Sequence, residues 1–94
     1  MSIRKKLESM LVANGMFDDQ AKEVLMVFIE EGANEPMTGR WEEPMNNYPP
    51  QLLAVLWLGV KRAALIYIDV NCPQAWFRPM FTDDPDAALA ERGS

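Results

Sequence analysis

Apolar residues recur at helical spacing in three stretches of the chain. In the first, Ile3, Leu7, Met10 and Leu11 stand at i, i+4, i+7 and i+8, the stripe one face of an α-helix turns toward a core. Ser2 offers an N-cap and Asn14-Gly15 a stop, so a helix is predicted over about 3–13. Ala21, Val24, Leu25, Phe28 and Ile29 repeat the spacing. Asp18 is the candidate cap of this second helix, and Asp19 puts negative charge in its first turn, where the helix dipole favours it. Gly32 ends the stripe, giving a helix over 18–31. Only residues 14–17 lie between the two stripes, so the helices should form a tight antiparallel or angled hairpin.

The third stripe follows Pro49-Pro50, where a proline at the first helical position sacrifices only an N–H that has no partner there. This helix is predicted over about 50–71. On a wheel of 100° per residue, Leu53, Leu56, Trp57, Val60, Ala63, Ala64, Tyr67 and Ile68 share one broad face, while Gln51, Lys61, Arg62 and Asp69 gather opposite. Leu58 and Leu65 fall among these charged residues and need a cover. Either the long loop lays Met37 or Met45 over them, or a second chain meets them in a two-fold dimer with Lys61 and Arg62 at its rim.

Between the second and third helices, residues 33–48 have no periodicity, and Pro36, Gly39, Pro44 and Asn46-Asn47 punctuate them. Met37, Trp41, Met45 and Tyr48 give this loop apolar groups that order it, and a short strand or helical turn is compatible with it. After Asn71, Pro73 opens a short turn carrying Trp76 and Phe77, with Pro79 as its end, and Asp84-Pro85 starts a last frayed turn through Glu91. The fold class is therefore mostly α. A single helical domain covers 1–81, with three main helices, a long ordered loop and a short C-terminal helical turn, followed by an acidic tail over 82–94.

The 94 residues are 49% apolar and 24% charged, inside the range of globular domains and too few for two cores. Composition also narrows the chemistry. There is no histidine and only one cysteine, Cys72, so the commonest general base and metal ligand is missing, and neither an internal disulfide nor a thiolate zinc cage can form. No serine elbow, Gly-rich phosphate loop or calcium loop occurs, and Glu30-Glu31 and Glu42-Glu43 read as solvated faces. A non-enzymatic protein with no metal and no cofactor is expected, with Cys72 a small buried hydrophobe.

Charge is uneven: +2 over 1–17, −6 over 18–48, +2 over 49–81 and −3 over 82–94. An acidic chain whose one basic run is Arg4-Lys5-Lys6 is a poor general binder of nucleic acid. That run is interrupted by Leu7-Glu8-Ser9 and makes no secretory signal. Lys61 and Arg62, in the middle of the third stripe, would each cost about 2.5–3.5 kcal/mol in a bilayer, against a membrane span. A cytoplasmic location is expected.

Two tryptophans adjoin arginines: Arg40 and Trp41 in the loop, near Tyr48, and Trp76 beside Phe77 and Arg78. Guanidinium groups take carboxylates or phosphates in pairs of hydrogen bonds, and indoles offer a flat apolar face. Arg40, Trp41, Tyr48, Trp76 and Arg78 are thus a candidate binding set, and form one pocket if both segments pack beside the third helix. The competing reading puts Trp41 and Trp76 in the core and spends the arginines on nearby acids or helix ends.

The strings Gly15-Met16-Phe17, Gln20-Ala21, Asn34-Glu35 with Met37, Gly39-Arg40-Trp41, Tyr48-Pro49-Pro50, Leu53-Ala54-Val55 and Trp57 resemble a family of small uncharacterised proteins encoded by tailed bacteriophages and prophages. Val60-Lys61, Ala64-Leu65, Ile68-Asp69, Asn71 and Ala75-Trp76-Phe77-Arg78-Pro79-Met80-Phe81 continue the likeness, which spans about residues 10–81 and is most specific at Gly-Arg-Trp and Trp-Phe-Arg-Pro-Met-Phe. The resemblance implies a phage accessory protein working in the bacterial cytoplasm and carries no mechanism with it. The expected function is stoichiometric binding that inhibits a host factor such as a defence component. Alternatives are sequestration of a nucleotide signal, with Arg40 and Arg78 on phosphate, or a structural or replication accessory that bridges phage proteins.

Overall fold

A computed structural model describes residues 1–30, 41–85, 87, 89 and 90. The chain forms three helices, α1 (Ile3–Ala13), α2 (Asp18–Glu30) and α3 (Pro50–Asn71), with 3-10 turns at Met45–Asn47 and Arg78–Phe81. Among the described residues there is no strand, only an isolated antiparallel bridge between Ser2 and Pro44. The mostly helical class with three main helices is as the apolar stripes predict. Of the predicted loop, residues 33–40 lie outside the described residues.

The first N–H groups of a helix have no partner within it. In α1 they are closed from two directions. Ser2 Oγ accepts from Lys5 N (3.2 Å), while Ile3 N donates to Glu43 O (3.3 Å) and Arg4 N to Trp41 O (3.1 Å). Met45 N donates back to Met1 O (3.0 Å), so residues 41–45 run antiparallel beside the chain start. The Arg4 side chain adds ion pairs to Glu42 and to Glu8, and its hydrogen bond holds the Glu42 carboxyl below the usual carboxylate range.

At the other end of α1, Met16 N reaches Leu11 O (3.2 Å) and Gly15 N reaches Val12 O (3.0 Å). This is a Schellman stop, with Met16 and Leu11 both buried as its apolar contact. Gly15 takes φ +116°, a backbone angle a Cβ would strain. Helix α2 then begins at the predicted residue, with Asp18 inside the helix instead of capping it. The preceding Phe17 N–H is accepted by Gln20 Oε1 (3.0 Å), a reach-back across one turn as in a capping box.

The core joins Ile3, Leu7 and Leu11 of α1, Val24, Leu25 and Phe28 of α2, and Leu56, Val60, Leu65 and Ile68 of α3. Where α2 crosses α3, a Cβ on Gly59 would lie 2.8 Å from Phe28 Cε1, so a side chain there would drive the ring out of place. Trp41 is buried and meets Phe28 edge to face, with centroids 6.0 Å apart and planes at 72°. The described part of the loop is thereby tied to the core by a residue the sequence singled out.

After Cys72 the chain returns along α3. Phe77 and Phe81 are buried, Arg78 pairs with Asp69, and Lys61 Nζ donates to Asp83 O (3.1 Å). Pro79 does not end the turn as predicted but lies inside it. Packing also runs past residue 81, because Pro85 is buried and Leu89 packs against the core. The helical turn expected from Asp84-Pro85 is not right-handed: Asp84, Ala87, Leu89 and Ala90 take φ of 80°, 49°, 61° and 56°. The burial of Pro85 and Leu89 accompanies this departure from right-handed backbone, which L-residues ordinarily favour by about 1–2 kcal/mol each. Glu91 lies outside the described residues.

Candidate binding surfaces

The aromatic and arginine set is dispersed. Arg40 lies outside the described residues. Trp41 belongs to the core and is unavailable as a contact residue. Tyr48 is half-buried and donates its hydroxyl to Glu43 Oε1 (2.7 Å). It lines a shallow groove of about 300 Å³ with Ile3, Met45, Pro49, Pro50 and Leu53.

Arg78 is spent inside the chain. Its Nε donates to Asp69 Oδ1 (2.7 Å) and its Nη2 to Asp69 Oδ2 (3.2 Å), a fork that fixes both groups and raises the guanidinium pKa further. This is the pairing with a nearby acid that the competing reading assigns to the arginines. Trp76, by contrast, is 72% exposed and is no core residue. It stands beside Gly15, whose Cβ, if present, would lie 3.0 Å from Trp76 Cη2. Trp41 is bonded near the start of α1 and Trp76 sits beyond its end, about 16 Å away along eleven helical residues. The two tryptophans form no common pocket.

On α3 the predicted interface divides. Leu65 is fully buried and Lys61 is 8% exposed, so neither is offered to a second chain. The returning C-terminal segment is fastened along this part of α3 by the fork at Asp69 and the Lys61 bond to Asp83. Of the two methionines expected to cover Leu58 and Leu65, Met45 packs near Tyr48 and Ile3, and Met37 lies outside the described residues. Leu58 is 54% exposed and Arg62 is exposed.

Around these two, the structure brings residues the wheel analysis missed. Val55, Leu58, Arg62, Ile66 and Val70 follow one another at steps of three or four along α3 and fall on its outer face. Their four apolar members are all exposed. The signal was present in this 3-4-4-4 spacing. It was masked because α3 is apolar nearly all round, so no single stripe stands out.

The end of the bundle holding the α1–α2 turn and the close of α3 carries a second apolar group, Phe17, Val70 and Trp76, each about 70% exposed. Asp18 and Asp19 open α2 beside Phe17. Tyr67 lies at the same end, and its hydroxyl pKa is raised first by burial and then by the charges of Glu23, Cys72 and Asp19.

Among the described residues, no group of three Cys, Asp or Glu side chains is placed to hold a metal ion. No described helix is long and apolar enough to cross a membrane. No protein-family model, curated protein or solved structure matches the chain.

Proposed function

We propose that this is a non-enzymatic binding protein that acts by occupying a partner protein through the outer face of α3. The observation that carries this reading is the exposed row Val55, Leu58, Ile66 and Val70 on one 22-residue helix. Exposed apolar groups on both sides of a single arginine, along one face of a chain this small, are a mark of a protein contact. The resemblance of the sequence to phage-encoded proteins gives the setting: a bacteriophage accessory protein in the host cell, inhibiting a host factor such as a defence component by stoichiometric binding. The nucleotide-sequestering alternative is weakened, because Arg78 is committed to Asp69 and Trp41 to Phe28.

The test is affinity capture from bacterial lysate with the wild type and with a Val55→Glu, Leu58→Glu double variant, both verified as folded by circular dichroism. A host protein recovered in one-to-one ratio by the wild type and lost by the variant supports the reading. Equal recovery by both proteins removes α3 as the contact.

A further inference from the structure

We propose that the end of the bundle formed by Phe17, Val70 and Trp76 docks a basic segment of another protein, with a lysine or arginine of that segment resting on the Trp76 indole. This surface shares Val70 with the exposed row of α3, but its anchor Trp76 and its neighbour Phe17 lie outside that row, and it does not depend on the reading above.

Three observations converge there. The first is the exposed aromatic itself. Trp76 is held rather than loose, edge to face on Phe77 at 5.7 Å and 82° and seated against Gly15. An anchor already fixed in place loses little freedom on binding, and tryptophan is the ring cations prefer.

The second is charge. Asp19 and Glu23 are exposed one turn apart on α2, and both act on the Tyr67 hydroxyl at this end. Helices α1 and α3 both finish here, and neither carries a basic residue in its last turn. Two negative helix ends therefore meet here without basic residues to offset them, and the one positive end, the start of α2, already carries Asp18 and Asp19. Lys22, the cation on this part of α2, lines the opposite groove with Arg4 and Glu8, and Arg78 is held by Asp69.

The third is chemical fit. Exposed apolar groups at the same end of the bundle as exposed carboxylates suit a side chain with an aliphatic stem and a cationic head, as in lysine and arginine. A second copy of this chain would present its own Phe17, Asp19 and Glu23 in a two-fold contact, setting like charge against like. Charge complementarity thus favours a basic partner over self-association.

The test uses two dye-labelled six-residue peptides, one of alternating lysine and arginine and one in which glutamate replaces every basic residue, followed by fluorescence anisotropy in low and moderate salt. The wild type should bind the basic peptide and not the acidic one. Trp76→Leu, which keeps an apolar side chain against Gly15 but removes the ring, should weaken binding about tenfold. Asp19→Asn with Glu23→Gln should weaken it and flatten its salt dependence. The proposal is overturned if the basic peptide does not bind at millimolar concentration. It is equally overturned if Trp76→Leu binds as the wild type does, since the attraction is then diffuse charge. Sedimentation showing that wild type self-associates and Trp76→Leu does not would make a second copy the occupant and also overturn it.

Discussion

Arg78 and Asp69 lie nine residues apart and meet through two parallel hydrogen bonds, which fasten the returning C-terminal segment to the last turns of α3. The Asp69 side chain is only 10% exposed and that of Arg78 29%, so the pair is partly screened. Arg78→Ala leaves a half-buried carboxylate without its fork and should cost about 1.5–3 kcal/mol in urea denaturation. Arg78→Lys should recover only part of that, because an ammonium cannot reproduce the paired geometry. A loss below about 0.5 kcal/mol for Arg78→Ala would show that Phe77 and Phe81 hold the segment unaided.

Trp41→Ala should cost about 3–5 kcal/mol, the range for truncating a buried aromatic. It removes the edge-to-face contact with Phe28 and loosens the segment whose carbonyls close α1. Urea denaturation measures it, and Trp41→Phe should lose far less. If the Ala variant is as stable as the wild type, the loop does not depend on this side chain.

Gly15→Ala should be the more damaging of the two methyl additions at the described glycines. The new Cβ would sit 2.6 Å from Phe77 Cβ at a φ of +116°, adding a clash to backbone strain, and a loss of more than about 2 kcal/mol is expected in thermal or urea melts. Gly59→Ala meets only the edge of the Phe28 ring on an ordinary helical backbone, so its loss should be the smaller. The reverse order would place the tighter contact at the α2–α3 crossing.

Leu58→Glu and Val55→Glu should each change stability by less than about 0.5 kcal/mol, as exposed substitutions do. Leu65→Glu, about two turns beyond Leu58 and nearly three beyond Val55, should prevent folding, because it buries a charge with no partner. Circular dichroism melts of the three variants decide this, and similar losses at Leu58 and Leu65 would mean that the outer face of α3 is covered.

Tyr67 should ionise above the ordinary tyrosine range, which can be followed by phenolate absorbance in a Tyr48→Phe background. Because the folded pKa is raised, the associated stability is fully present below the unfolded tyrosine pKa and is lost as pH rises through the folded one. Asp19→Asn with Glu23→Gln should move the titration down only part of the way, since burial is the larger cause. A titration at the free tyrosine value would show Tyr67 to be open to water.

The three helices were legible because their stripes, caps and stops all agree. Ser2 caps α1, Gly15 stops it and Pro50 starts α3, each for a local reason readable in two or three residues. The covered side of α3 was not legible, because what covers it has no periodicity. Phe77 and Phe81 sit in a proline-broken stretch, and the hydrogen bond that accompanies the burial of Lys61 is to a backbone carbonyl, at Asp83, which no side-chain pattern announces. Trp41 and Trp76 make the same point. Both adjoin arginine in the sequence, yet one is buried against a ring and the other is exposed beside a glycine. Residue type set what each tryptophan can do, and its neighbours in space decided which role it took.

The closure of α1 by carbonyls from Trp41 and Glu43 also gives the protein an order of completion. During synthesis the α1–α2 hairpin leaves the ribosome first, but its opening amides wait for a segment about 40 residues behind, a delay of roughly 2–8 s at 5–20 residues per second. Once α2 is complete, the newborn hairpin keeps a bare apolar stripe until α3 follows it, and its apolar surface is most exposed in that stretch of synthesis. Slowing translation across residues 41–60 should lengthen that exposure, and speeding it should shorten it.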